Sequence, residues 1–349
     1  MPYLLRPLTM LLFAALAMTC LPAAAERASA GAREARTVPH VPAGTTAGYM
    51  VFDRTTRATT LAHNIHGRFR SASVVKILIA LDHLQSRRPG QAIPAADQRL
   101  LRDMLRSSDD DAASELWRRG GRRAIIDRMV RRLGLRDTEA PPASRPGFWG
   151  YTALSASDVV LTYRYLLDRA DPKIRDLILG HLRHATRCAS DDFDQYFGIP
   201  RAVPRPWAVK QGWSGYGATP AVRCSGARST ASATASGDAL PPIASGDALP
   251  ATASGSASPV AAPGNAVPDA ASGAASVAAS TAAGATAAAP ARPPVNLLRP
   301  VLHTTGLVGA GDRLIIVVLT LQPAGASYSG SAARLTTLAR QVYLAGRPR

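Results

Sequence analysis

Ser73-Val74-Val75-Lys76-Ile77-Leu78-Ile79-Ala80-Leu81 opens a run to about Ser86. In it Val74, Val75, Ile77, Leu78, Leu81 and Leu84 recur at helical spacing. The spacing sets a hydroxyl and an amine three residues apart on one helix face. A helix start carries positive potential that favours an alkoxide, and an amine without its proton can take one from a serine. Alone, the motif also describes a capping serine followed by a solvated lysine. Two later stretches bear on that choice. Met104-Leu105-Arg106-Ser107-Ser108-Asp109-Asp110-Asp111-Ala112-Ala113 lies between two helical runs, and by itself is a helix N-cap cluster. Val209-Lys210-Gln211-Gly212-Trp213 lies on a predicted strand, and by itself is a strand with one charge.

Outward from these, Ala47–Asp53 and Ala58–His63 read as a hairpin about Thr55-Thr56-Arg57. Helical patterns recur at Asp97–Leu105, Asp111–Arg119, Arg122–Leu133, Ser155–Leu167 and Pro172–His184, with Ser155 and Ser157 as cap candidates. Trp207–Gly212, His303–Val308 and Leu314–Leu319 read as strands, and Ser331–Ala345 as a closing amphipathic helix. Strands that bracket a helical block predict an α+β fold. Its antiparallel five-stranded sheet is flanked by helices, and an all-helical subdomain of about residues 73–200 is inserted after the hairpin.

The chain has 349 residues, but residues 225–294 contain no Lys, Glu or aromatic residue and predict a disordered insert. A nine-residue duplication, Ser236–Ala244 and Ser245–Ala253, is too short for a solenoid. One domain is left, at 46–224 and 295–349. At the start, Arg6, an apolar run from Leu8 to Leu21, and Pro22-Ala23-Ala24-Ala25 predict a signal peptide over 1–25, followed by a linker over 26–45. The expectation is a secreted, extracytoplasmic protein with no integral membrane span after cleavage. A lipoprotein attached through Cys20 fits less well, given Thr19 and Ala17. Cys188 and Cys224 then form one disulfide or stand as two free thiols. The net charge is +17, and only Lys76, Lys173 and Lys210 among the 41 basic residues are lysines. The arginine excess reads as codon bias, and no zinc-finger spacing, leucine-zipper heptad or RNA-binding aromatic signature is present, so nucleic acid is excluded as a partner. Anionic wall polymers suit the basic balance. No cofactor is expected. His181 and His184 near Cys188 read as a basic helix end rather than a metal site. Asp191-Asp192-Phe193-Asp194 lacks the Gly and distal Glu of a calcium loop. Trp149 and Trp213 either wall a pocket or pack in the core.

Taken in order, the three stretches resemble the Ser-x-x-Lys, Ser-Asp-Asn and Lys-Thr-Gly boxes of the penicillin-recognising serine enzymes, the class A β-lactamases and penicillin-binding proteins. The resemblance covers roughly 45–224 and 296–346. It extends to Ala112-Ala113, Gly120-Gly121 and the Thr152–Asp158 helix start. Arg replaces Lys almost everywhere in the chain, yet two of the three lysines fall in family slots, where Arg could not act as a base. The resemblance implies Ser73 as nucleophile, Lys76 as its base or proton shuttle, and Ser108 as proton relay to the leaving nitrogen. It implies Lys210 as positive potential for a substrate carboxylate, with Asp110, Gln211, Gly212 and Trp213 lining the substrate site. The N–H groups of Ser73 and Trp213 would form the oxyanion hole. The substrate it implies is a β-lactam or a D-alanyl cell-wall peptide. Three positions depart from the family. Asp110 stands in place of Asn, where a carboxylate holds Lys76 protonated. Gln211 replaces Thr or Ser. Glu139 is the one candidate between Leu135 and Tyr151 for activating a deacylating water, and it lacks the family's surroundings. Ser73 and Ser108 are 35 residues apart, which implies a trimmed helical subdomain. These departures keep two alternatives open: a slow-deacylating penicillin-binding peptidase or esterase, and a catalytically degenerate wall-associated module.

Overall fold

The structure, a computed structural model, describes residues 38–88, 90–225 and 294–348. The expected signal peptide, the linker up to residue 37 and the insert from 226 to 293 lie outside the described residues. Strands β1 (Thr46–Asp53) and β2 (Ala58–His63) form the expected hairpin. A two-residue strand β3 (Phe69–Arg70) leads into a single 3-10 turn, Ala72–Val75, and then into α1 (Lys76–Gln85). The helical block continues with α2 (Ala95–Arg106), α3 (Asp110–Arg119) and α4 (Arg123–Leu133). A 3-10 turn at Trp149–Tyr151, strand β4 (Ala153–Leu154), α5 (Ala156–Asp168) and α6 (Pro172–Arg183) follow. The short α7 (Ile199–Ala202) precedes β5 (Trp207–Ser214), β6 (Val301–Val308), β7 (Leu314–Leu321) and α8 (Tyr328–Gly346).

The main sheet has the order β2-β1-β7-β6-β5, antiparallel at every pairing. This is the predicted α+β architecture. β6 and β7 are buried almost end to end, so both sheet faces are covered. Ile316 and Val318 of β7 pack with Leu335, Leu338 and Val342 of α8. Ile315, Val317 and Leu319, one residue out of phase, pack in the core shared with α1 and α5. β5 is left at the edge, which exposes one row of its backbone groups to the helical block.

Three short elements escaped sequence reasoning, one of them, β4, inside the block expected to be all helical. The β3–β4 pair spans two residues per strand, too short to show a period of two, and α7 is a single turn after Gly198, whose φ is 59°. The expected helix start at Ser73 is also tighter than predicted. Ser73 lies on the 3-10 turn, and Lys76 is the first residue of α1. A 3-10 turn eclipses residues i and i+3, so Ser73 and Lys76 stack along the turn.

Candidate active site

The 3-10 turn carries Ser73, α1 begins on Lys76, the α2–α3 junction carries Ser108 and Asp110, and β5 carries Lys210 through Trp213. Ser73, Lys76, Ser108 and Lys210 are all buried, the two lysines to 0% and 1% exposure. Burying two ammonium groups side by side is costly unless each is compensated or neutral. Their partners therefore decide the chemistry.

Lys76 Nζ donates to Asp110 Oδ1 at 2.6 Å and to the Ser108 carbonyl at 2.7 Å, and lies 3.4 Å from Ser108 Oγ. It also stands 4.6 Å from the centroid of the Trp149 ring. Among the described residues, none of its hydrogen bonds goes to Ser73. Lys210 Nζ is 2.9 Å from Ser108 Oγ and 3.0 Å from the Gln211 carbonyl, with no carboxylate in contact among the described residues. The Ser108 hydroxyl thus lies between the two amines. Burial pushes Lys76 below the ordinary lysine range while Asp110 opposes it. Burial and the neighbouring Lys76 charge push Lys210 well below that range.

The backbone around both serines is strained. Ala72, just before Ser73, has φ 44°, and Ser108 itself has φ 57°, both left-handed without being glycine. Each costs of order 1–3 kcal/mol and persists only where the surroundings enforce it. Ser71 N donates to the Thr152 carbonyl at 2.7 Å, and Asp109 N to Asp103 at 3.1 Å. Asp109 caps α3 by accepting from Ala112 N at 2.7 Å. That cap leaves Asp110 in the first helical turn, where the macrodipole favours its carboxylate.

On the strand side, Gly212 makes a close approach to the Ser73 turn. A Cβ there would stand 3.1 Å from the Ser71 carbonyl oxygen and 3.2 Å from Ser73 N. The Gln211 carbonyl accepts from Lys210 Nζ, so the polar groups of Gln211 face away from β6. By strand alternation the Trp213 N–H faces the same way. The Gln211 side chain is buried, and its amide donates to the carbonyls of Phe197 at 2.6 Å and Gln195 at 3.3 Å. Both contacts are with the 186–198 segment rather than with Ser73 or Ser108.

That segment supplies a residue the sequence reading placed elsewhere. Asp191 accepts from Trp213 Nε1 at 3.1 Å, and its charge acts on Lys76, Lys210 and Asp110. Burial raises its carboxyl above the usual range. Asp191, Asp192 and Asp194 do not converge on one point. Here the three separate, Asp192 pairing with Arg223 and Asp194 with Arg187 and Arg201. Cys188 and Cys224 form a disulfide, which resolves the pairing left open by sequence. His181 accepts from Arg106 Nε at 3.1 Å, and His184 contacts the Gly180 carbonyl at 2.7 Å. The two tryptophans split their roles. Trp149 packs in the core, lies against Lys76, and donates to Ser114 Oγ at 3.1 Å. Trp213 is half-buried beside Asp191. Glu139 has an exposed carboxylate paired with Arg68, with no bond to Ser73, Lys76 or Ser108. The Asp158 carboxylate fixes the preceding turn by accepting from Asp137 N and Thr138 N at 2.8 and 2.7 Å.

No family model matches the sequence. Curated proteins from Mycobacterium tuberculosis and Mycobacterium bovis, each named "Putative lipoprotein LppW", are 37% identical to it over 175 residues, 49% of this chain and 54% of theirs. The chain thus spans about half the length of the curated relatives it matches. Among solved structures, a class A β-lactamase from Mycobacterium abscessus aligns with TM-score 0.50 at 18% identity, over 86% of this chain and 93% of that one. A structure of PBP-A aligns with TM-score 0.50 at 13% identity, over 88% and 92%. The chain has the β-lactamase/transpeptidase-like fold. Among its described residues no helix is long and apolar enough to cross a membrane.

Proposed function

We propose that the chain is an exported active-site serine hydrolase that forms an acyl-enzyme on Ser73 with β-lactams or D-alanyl cell-wall peptides. The observation that carries this is the Ser108 hydroxyl lying between two buried lysines, in a fold where Ser73 is buried on a strained turn packed against Gly212 of β5. Ser73 Oγ attacks the carbonyl, and the Ser73 and Trp213 N–H groups receive the developing oxyanion. Ser108 returns a proton to the leaving nitrogen. Gly212 keeps the strand close enough to the turn for both N–H groups to serve one oxygen. The likeness to proteins named lipoproteins supports a location outside the cytoplasm.

A second reading, that the acyl-enzyme is long-lived as in a penicillin-binding protein, is favoured by Glu139. Its carboxylate is engaged by Arg68, which leaves deacylation without an evident base. Incubation of the mature protein with a fluorescent penicillin, followed by mass spectrometry, tests both readings. The expected result is one adduct, mapped to Ser73, absent in Ser73→Ala and persisting long after free penicillin is removed. An adduct retained in Ser73→Ala overturns the nucleophile assignment. Rapid turnover of many equivalents overturns the slow-deacylation reading. Absence of any adduct leaves the degenerate wall-associated module in its place.

A further inference from the structure

We propose that Lys210, rather than Lys76, is the amine that takes the proton released by Ser73, by way of the Ser108 hydroxyl. This rests on the reading of Ser73 as nucleophile. The two lysines are equally buried but differently surrounded. Lys76 lies between a carboxylate at 2.6 Å and the face of an indole ring at 4.6 Å. Both stabilise an ammonium, the first by charge and the second through the ring quadrupole. Lys210 has neither. Its two polar contacts are the Ser108 hydroxyl and the Gln211 carbonyl.

Hydrogen-bond directions then follow. A neutral Lys210 accepts the Ser108 O–H in its lone pair and donates to the Gln211 carbonyl. The Lys76 ammonium donates to Asp110, to the Ser108 carbonyl and, more weakly, to Ser108 Oγ. In this arrangement all three Lys76 N–H groups and the Ser108 O–H have acceptors and one Lys210 N–H is left over, whereas a charged Lys210 would leave both an N–H and the Ser108 O–H without one; Ser108 is thus polarised toward Lys210. The reverse assignment puts on Lys210, beside a second amine, a cation that no carboxylate among the described residues bonds directly. The charged and titratable groups facing Lys210 are Lys76 from α1, Asp110 from α3 and Asp191 from the 186–198 segment. Behind it lie Thr305 of β6, which donates to the Lys210 carbonyl at 2.8 Å, and Tyr163 of α5, bonded to Thr305 at 3.0 Å. Burial raises the Tyr163 phenol, so it stays neutral. The two carboxylates draw Lys210 toward protonation, and burial with the Lys76 charge opposes them.

In acylation, the Ser73 Oγ–carbon bond forms as the carbonyl electron pair moves onto oxygen. The Ser73 proton passes to Ser108 Oγ, whose own proton passes to Lys210 Nζ. As the tetrahedral species collapses, the carbon–nitrogen bond breaks and the leaving nitrogen takes a proton from Ser108, which regains one from Lys210. The cycle conserves protons and needs no further reactant. Lys76 stays charged throughout and holds Ser108 in place.

The chain has three lysines, which makes the proposal directly readable. Full mature protein carrying lysine labelled with carbon-13 at Cε gives three resonances. Lys173→Arg identifies that of Lys173, and the ring current of Trp149 marks that of Lys76. The expected result is that the Lys210 resonance has the neutral-amine shift at pH 7 while the other two have ammonium shifts. In parallel, Lys210→Arg keeps a cation but cannot hold a neutral amine. Its acylation by a chromogenic cephalosporin should fall at least ~100-fold. The wild-type rate should decline on acidification along the Lys210 titration. A Lys210 resonance that stays at the ammonium shift through pH 9 overturns the proposal, whether or not the protein acylates. So does a neutral Lys210 with Lys210→Arg acylating at the wild-type rate. If Lys210→Arg does not fold, the resonances and the wild-type pH profile decide alone. No adduct on Ser73 in the wild type instead removes the nucleophile reading, whatever the resonances show.

Discussion

The site has two walls of different make. One is the junction between β5 and the Ser73 turn, where backbone meets backbone: Gly212 lies against Ser71 and Ser73, and His303 of β6 bonds the Arg70 carbonyl at 2.8 Å. The other is the 186–198 segment, where side chains reach across long separations. Asp191 meets Trp213, and Gln195 donates to the carbonyls of Arg106 and Thr186, each at 2.8 Å, while its own carbonyl accepts from Gln211. The first wall is rigid because it belongs to the sheet. The second has little regular structure and depends on tethers, with the Cys188–Cys224 bond at its head.

Removing the tether is the largest change to that contrast. The cross-link joins residues 36 apart in sequence, and loop closure of that size contributes about 4 kcal/mol in the chain-entropy treatment. Cys224 N also donates to the Asp192 carbonyl at 2.8 Å, so the bond fixes the stretch that bears Asp191. Urea unfolding of Cys188→Ala/Cys224→Ala should show a stability loss on the order of 2–5 kcal/mol. A loss under about 1 kcal/mol would mean the segment is held by its ion pairs and carbonyl contacts, and the two walls would be alike.

The sheet-side wall has its own weak point, acid. His303 is wholly buried, its Nδ1 accepts from Thr320 N at 3.1 Å, and its Nε2 faces the Arg70 carbonyl. Charging the ring costs the Thr320 bond, and burial lowers its pKa to about 4 from 6.5. The unfolded chain therefore binds the proton more readily than the folded one. Stability from this residue is complete above pH 6.5 and is lost as pH falls toward 4, in total about 3 kcal/mol. Urea midpoints across pH 7 to 4 should fall more steeply in the wild type than in His303→Gln. Parallel curves would show that His303 does not govern the acid sensitivity of this wall.

The contrast also explains what was legible in the sequence. The strands and the long helices could be read because each is a periodic run, and the meeting of Lys76, Ser108 and Lys210 because each sits in a short motif. Glycine at 212 was readable for the same reason, since close approach leaves a compositional mark. The role of Asp191 was not readable. Its neighbours Asp192 and Asp194 made it look like part of an acidic cluster, and its partners Trp213, Lys76 and Lys210 lie in three other elements. The inward turn of Gln211 was hidden likewise, because its acceptors are carbonyls of an irregular stretch with no pattern of its own. The strain at Ala72 and Ser108 leaves no mark either, since neither residue is glycine.

The smallest expected effect is the sharpest test of the sheet-side wall. Gly212→Ala adds one methyl group to β5. Its nearest neighbours would be the Ser71 carbonyl oxygen and Val74 Cγ2, each at 3.1 Å, and Ser73 N at 3.2 Å. These contacts are tighter than ordinary van der Waals distance by a few tenths of an ångström, and two of the three neighbours are main-chain atoms that cannot rotate away. The strand itself should tolerate the change, because alanine loses less conformational entropy than glycine on ordering. The relief must therefore come from the turn, which moves the Ser73 N–H away from β5. A shift of that size leaves global stability within about 1 kcal/mol. It should still slow acylation roughly tenfold, the equivalent of 1.4 kcal/mol lost at the oxyanion. Chromogenic cephalosporin kinetics beside urea unfolding of the same sample separate the two quantities. A variant that loses stability and rate in proportion would make Gly212 a packing residue. A variant that acylates at the wild-type rate would show that the turn has slack, and the backbone wall would then be no more exacting than the side-chain wall opposite.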